Sequence, residues 1–383
     1  MQITVRWAER ARFIVVLSQC ALFATLGASA ACREATGTET GLVRWSYVDE
    51  LPAAVPLVDA DLVAFTTTFG ENRLNVLNRA DGHLLWTKSF DVAVGGYGMP
   101  RANIVAFEDL LIVPAWQVYA VDRATGATRW QFSNADDFPG ARELTVGDGT
   151  VFACGRRVYA LDARTGAMKW ELDLQEEPFK PVYSNGTLYL TTRVNQAGGL
   201  GAGHAVAINS ADGTVLWSFS LPDATDAPWL GGSLGLAGVT ETQVIVPSPN
   251  GRVYALDRQN GALQWERRGR GPYSYGVILN SVVVVGGDAQ YVEAVNLSTG
   301  QLAWEIRTDG SPQYIGIAPG VAIVNDGRLR AVNEAGQVTW AYGGQTHNQP
   351  TFTWAPVYAE STIFVGGMIG EERRGLYAVD APF

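Results

Sequence analysis

The sequence predicts an all-β fold, a closed β-propeller of eight four-stranded antiparallel blades, and three observations carry that expectation. A motif of the form VYALDARTGAMKW, residues 158–170, occurs seven times along the 383-residue chain. From Trp45 onward the tryptophans that end it follow at intervals of 41, 44, 40, 47, 48, 39 and 36 residues, the length of one propeller blade. The two ends carry complementary halves of the same unit. GLVRWSY around Trp45 is a Trp strand with no hairpin before it, and LYAVDAPF, residues 376–383, is a hairpin strand with no Trp strand after it.

Each element of the repeat follows from its residues. VYALD alternates large and small apolar side chains as a half-buried strand does. ARTG or SADG then supplies turn chemistry with Gly where a positive φ is needed, and AMKWELDL resumes as a strand. Two further β-rich runs precede each hairpin, as in GVILNS with VVVVGG, so every repeat encodes four antiparallel strands. Such a unit cannot bury its apolar face alone and must stack on its neighbours. Pairing the two ends builds the eighth blade and removes two open sheet edges that would otherwise invite aggregation.

The first thirty residues obey a different rule. Arg6, Arg10 and Arg12 precede the apolar run FIVVLSQCALFATLGASAA, and the polar REATGTETG follows, which is the order of an export signal. The expected organisation is therefore a signal over 1–31, a linker over 32–41 and one propeller over 42–383. Two processing readings stay open: cleavage after Ala30 with soluble release, or lipoprotein processing that leaves Cys32 as the acylated first residue. The expected location is the periplasmic face of the outer membrane, or the periplasm or medium. Cys20 lies within the apolar run. Cys154, in TVFACG, reads as a buried and inert thiol.

Composition narrows the function. The chain is 47% hydrophobic and 17% charged with a formal charge of −10, enough for a large core, and it has no Lys/Arg tract, which argues against nucleic acid as a partner and leaves the membrane only through a lipid anchor. His83, His204 and His347 are scattered, and no DxDxDG loop is present. Asp122, Asp162 and Asp257, with Asn78, Asn209, Asn296 and Asn333, recur at one hairpin position, which marks them as turn residues rather than catalytic ones.

The spacing Ala, six residues to Gly, four to Trp holds at Ala120/Gly126/Trp130, Ala160/Gly166/Trp170, Ala207/Gly213/Trp217, Ala255/Gly261/Trp265 and Ala294/Gly300/Trp304. Val76 replaces Ala ahead of Trp86, and Ala331/Gly336/Trp340 is one residue shorter. This pattern resembles the tryptophan-docking motif of the eight-bladed quinoprotein-like (PQQ-repeat) propellers. The resemblance implies that Trp45, Trp86, Trp130, Trp170, Trp217, Trp265, Trp304 and Trp340 each dock against the adjacent blade. Two classes share the motif. Catalytic members hold pyrroloquinoline quinone with a calcium-type ion, and many have adjacent cysteines beside it; this chain has no vicinal cysteines. The other class is the BamB family of lipoprotein subunits of the outer-membrane β-barrel assembly machine, which this chain resembles in length, export signal and blade count. The expectation is a monomeric, non-enzymatic scaffold without cofactor or metal, binding envelope proteins such as a β-barrel assembly component. A quinone-dependent dehydrogenase is the alternative.

In a four-stranded blade the short, uniform hairpins between the third and fourth strands open on one face of the ring. The connections between the second and third strands and between blades open on the other, and here they vary widely in length. Aromatic and Arg anchors on that variable face are the expected binding residues: Tyr97, Trp229, Tyr273, Tyr275, Tyr314 and Trp354, with Arg267, Arg268 and Arg270 as the one local basic cluster.

Overall fold

The computed structural model describes residues 43–49, 54–67, 73–90, 103–114, 117–134, 143–196, 199–201, 203–222, 235–312, 314–344, 350–369 and 373–383. These form eight antiparallel sheets and no helix. Seven sheets are consecutive in the chain, spanning 57–89, 105–132, 143–172, 177–221, 238–268, 273–307 and 314–342. We number them as blades one to seven and label the strands a to d from the axis outward. The a strands of successive blades touch one another around the axis, from Val105–Phe107 through Glu143–Gly147 to Val357–Ala359, which meets Leu57–Val58 of blade one.

Blade eight joins the two ends of the chain. Val43–Asp49 pairs with Arg373–Asp380, with Trp45 opposite Ala378 and Tyr47 opposite Leu376. Arg373–Asp380 in turn pairs with Thr362–Ile369. Trp45, Phe364, Leu376 and Ala378 of this composite blade bury against Val63, Phe65 and Leu77 of blade one. The ring is thus sealed by a non-local strand pair rather than by a continuous hairpin.

The recurrent hairpin keeps one strand register, with a turn one residue shorter in blade seven. The small residue stands directly opposite the Trp of its own blade, as Ala160 does Trp170 and Ala207 does Trp217, and the register shifts by one residue immediately after it. The turn carboxylates are local: Asp122 accepts from Thr125 N (3.0 Å) and Thr125 Oγ1 (2.9 Å), and Asp162 does the same with Thr165 at 3.0 and 2.9 Å. These bonds, the Thr hydroxyls first, hold both carboxyls below their ordinary range.

Each turn glycine carries a second role, visible only between blades. A Cβ on Gly82, Gly126, Gly166, Gly213, Gly261, Gly300 or Gly336 would lie less than 3.0 Å from the indole of the preceding blade's Trp. All seven have φ between 69° and 78°, so the position demands both the left-handed conformation and the missing side chain. The indole then donates Nε1–H to a carbonyl in the same turn, at 2.7–3.1 Å: Trp45 to Arg79, Trp86 to Arg123, Trp130 to Ala163, Trp170 to Ser210, Trp217 to Arg258, Trp265 to Leu297 and Trp304 to Glu334. Trp340 meets blade eight, which has no such Gly turn; there it packs edge-on against Phe383 with centroids 5.8 Å apart.

The same face carries a polar girdle. At five of the seven turns the side chain beside the turn reaches the a–b turn of the preceding blade: Arg79 to Glu360, Arg123 to Asp59 and Asp61, Arg164 to Glu108, Arg258 to Ser184, and Glu334 to Asn280 and Ser281.

Candidate functional site

Counting back from the a–b turns shows which side chains share one level around the axis. Asn103, Glu143, Lys180, Tyr275 and Tyr314 each lie four residues before the last residue of their a strand, at Phe107, Gly147, Ser184, Leu279 and Ala318. Trp354 lies five before Ala359. This level sits toward the variable face, because every a strand enters from that side.

Contacts link these positions from blade two to blade eight, through the backbone on the polar side and between side chains from Lys180 to Trp354. Asn103 brackets the backbone of Leu144 in blade three, its Nδ2 donating to Leu144 O (2.6 Å) and its Oδ1 accepting from Leu144 N (2.8 Å). Glu143, 6% exposed, accepts from the backbone N–H of Lys180 in blade four. The Lys180 ammonium lies 5.4 Å from the Tyr275 ring centroid in blade six. Tyr275 and Tyr314 are 5.0 Å apart, and Tyr314 meets Trp354 edge-on at 5.4 Å. Asn325 Nδ2 donates to Trp354 O (2.7 Å) and fixes that loop.

Local backbone explains why Lys180 spans blade five. Its strand carries a bulge between Phe179 and Val182, and Lys180 itself has φ 44°, which re-aims the side chain along the ring. The facing a strand, Gly238–Val239, is only two residues long, and a Cβ on nearby Gly235 would strike the Lys180 side chain. The collar therefore has a polar arc of Asn103, Glu143 and Lys180 and an aromatic arc of Tyr275, Tyr314 and Trp354. All three aromatic residues are half-buried, so part of each stays accessible. Trp354 Nε1 is buried and meets no acceptor among the described residues, a donor whose isolation costs about 1–3 kcal/mol.

Arg267, Arg270 and Tyr273 are engaged elsewhere, around two carboxylates of blade six. Glu293 and Glu305 stand directly opposite each other on its c and d strands, 2% and 7% exposed. Like charges so placed repel unless countered. Arg270 grips Glu305 with two bonds, Nε to Oε2 at 2.6 Å and Nη2 to Oε1 at 2.5 Å, and lies over the Tyr291 ring. Tyr273 donates its hydroxyl to Glu293, Arg270 N donates to the same oxygen (3.1 Å), and Arg267 approaches at 3.9 Å. The Arg270 guanidinium holds the Glu305 carboxyl below its usual range, while burial first and the Glu293 charge second push the Tyr273 phenol up. Arg268 is exposed at the end of the d strand of blade five. Tyr97, Trp229, Cys32 and His347 lie outside the described residues.

The remaining reactive groups are spoken for. Cys154 is buried, and burial with the nearby Glu143 charge raises its thiol well above the ordinary range. His204 Nδ1 meets Glu176 at 2.9 Å and His83 Nδ1 meets Asp81 at 2.6 Å. Among the described residues no group of three or more His, Cys, Asp or Glu is arranged to hold a metal ion.

The family profile described as outer membrane protein assembly factor BamB matches residues 115–311, more than half of the chain. The chain belongs to this family. The outer membrane protein assembly factor BamB of Yersinia pestis is 30% identical over 155 residues, 35% of this chain; the match spans only 37% of that relative's length. The crystal structure of BamB from Moraxella catarrhalis superposes with a TM-score of 0.57 at 20% identity, over 80% of this chain and 92% of that one. Quinohemoprotein alcohol dehydrogenase from Comamonas testosteroni superposes with a TM-score of 0.68 at 14% identity, over 90% and 78% of the two chains. Similarity to both structures at such identities shows the shared ring and nothing of its use.

Proposed function

We propose that this BamB-family chain is an exported, non-enzymatic scaffold that binds an envelope protein, such as an outer-membrane β-barrel assembly component, through the variable face of its ring. The aromatic arc Tyr275, Tyr314 and Trp354, partly accessible at one level of the ring and flanked by the Lys180 ammonium, is the observation that carries the reading. Large rings immobilised before a partner arrives lose little entropy on binding, and such anchors dominate interface energies. Tyr97 and Trp229 belong to the same proposal by their place in the variable connections, and Cys32 as a lipid anchor would hold the ring at the membrane.

The test compares envelope pull-downs by the parent and by Tyr275→Ala, Tyr314→Ala and Trp354→Ala. Each variant is expected to lose about 1–3 kcal/mol of partner affinity while keeping its melting temperature within a few degrees. The control on the opposite face is Arg164→Ala, whose side chain is 68% exposed and meets Glu108 and the Phe107 ring of blade two. Arg258 is less suitable, since it is partly buried where it bonds Ser184 and Tyr189 of blade four. Equal loss on Arg164→Ala would place the binding surface on the short-turn face.

A further inference from the structure

Eight d strands form the rim, and among the described residues none of them pairs with a further strand on its outer side, which leaves a row of backbone N–H and C=O groups on each. Natural proteins guard such edges with charge, because an unguarded one templates pairing with another chain. Six of the eight contain at least one Lys, Arg, Asp or Glu, as in Met168–Leu172 with Lys169 and Glu171, or Leu263–Arg268 with Glu266, Arg267 and Arg268. Two contain none. Val338–Tyr342 is five residues long and only Thr339 in it is exposed. Val215–Leu221, VLWSFSL in blade four, is seven residues long with Val215, Leu216, Ser218 and Ser220 all exposed.

We propose that this outer edge of blade four takes up an extended, uncharged strand of a partner polypeptide as a fifth strand. Only an extended chain can meet a row of main-chain donors and acceptors along its whole length. The uncharged rim selects against charged strands, which would shed hydration with no counter-charge to meet. Leu216 and Val215, 51% and 41% exposed, give the incoming strand an apolar contact at one end, and the small Ser218 and Ser220 leave room for its side chains at the other. A second copy of this chain fits poorly: antiparallel self-pairing centred on Ser218 sets Leu216 against Ser220 twice, an apolar side chain against a hydroxyl. The edge lies on the rim, away from the collar, so the two surfaces are tested separately.

The chain supplies its own control. Ser218 and Ser220 stand one and three residues after Trp217, where blade five has Glu266 and Arg268 after Trp265. The variant Ser218→Glu with Ser220→Arg therefore writes a tolerated guarded pattern onto the open edge. Binding of a fluorescein-labelled nine-residue peptide of alternating Val and Thr is read by anisotropy on the full protein. The parent is expected to bind one peptide, and the double variant to bind roughly tenfold or more weakly at an unchanged melting temperature. A peptide with Glu in place of Thr is expected to bind the parent weakly as well, while Tyr314→Ala leaves the parent's affinity for the Val/Thr peptide unchanged. Absence of parent binding, or double-variant affinity within about twofold of parent, overturns the proposal. So does a parent dimer that the double variant dissociates, since the occupant would then be a second copy.

Discussion

Replacing Gly261 with Ala tests how the blades are fastened, because the same substitution elsewhere isolates the term of interest. Gly261 has φ 72° and Gly149 has φ 65°, so either alanine meets the same left-handed backbone penalty of about 1–2 kcal/mol. Their surroundings differ. A Cβ on Gly261 would lie 2.6 Å from Cε3 of Trp217, whereas one on Gly149 meets nothing within 4 Å. Forcing the indole outward adds an overpacking cost of about 1–3 kcal/mol and loosens its 3.0 Å bond to Arg258 O, a bond worth about 1 kcal/mol. The expected losses are thus about 3–6 kcal/mol for Gly261→Ala and about 1–2 kcal/mol for Gly149→Ala. Urea unfolding followed by tryptophan fluorescence measures both, with the midpoint shift converted through a common slope. Equal losses at the two sites would refute the claim that the turn glycine exists to admit the neighbouring indole.

Other expectations follow from the same contacts. Deleting residues 376–383 removes Leu376, Tyr377 and Val379, all at most 1% exposed, and strips Val43–Asp49 of most of its partner strand; the whole ring should lose cooperativity, and a truncated chain melting as sharply and as high as the parent would contradict the closure. Arg270→Ala should cost about 1–3 kcal/mol at neutral pH, a modest figure because the guanidinium is half exposed. The Glu305 carboxyl is depressed, so its contribution is present above the unfolded value of about 4.3 and lost as pH falls through the lower folded value; the variant should show a flatter acid limb, and an unchanged limb would remove Arg270 as the cause. Purified protein supplied with pyrroloquinoline quinone and calcium should reduce no dye with alcohols or sugars above background; turnover would move the chain to the enzyme class.

The fold was legible because its signals are repeated and local. Turn Asp or Asn, Gly at positive φ and Trp four residues later recur with one spacing in six of the seven hairpins and one residue shorter in the seventh, and the unmatched strands at the two ends announce the closing pair. The second role of the glycine was hidden, since it faces the Trp of the preceding repeat, some forty residues away in sequence. The collar was harder still. Its positions hold Asn103, Glu143, Lys180, Tyr275, Tyr314 and Trp354, six positions with no common residue type, and only the distance from each a–b turn aligns them. Sequence reading picked out Tyr275, Tyr314 and Trp354 as aromatics on variable connections and missed Lys180, which a bulge re-aims. It grouped Arg267 and Arg270 by proximity in the chain. Their partners Glu293 and Glu305 sit on separate strands and meet only once the sheet forms.

The proposed scaffold role stands or falls most directly on one titration: the parent and a Tyr275→Ala/Tyr314→Ala/Trp354→Ala triple variant against the purified barrel-forming subunit of the outer-membrane assembly machinery, followed by calorimetry. The account predicts saturable binding by the parent and a loss of at least about 2 kcal/mol in a triple variant that still melts cooperatively. Saturable binding that the triple variant keeps in full, or no binding by the parent at all, would contradict it.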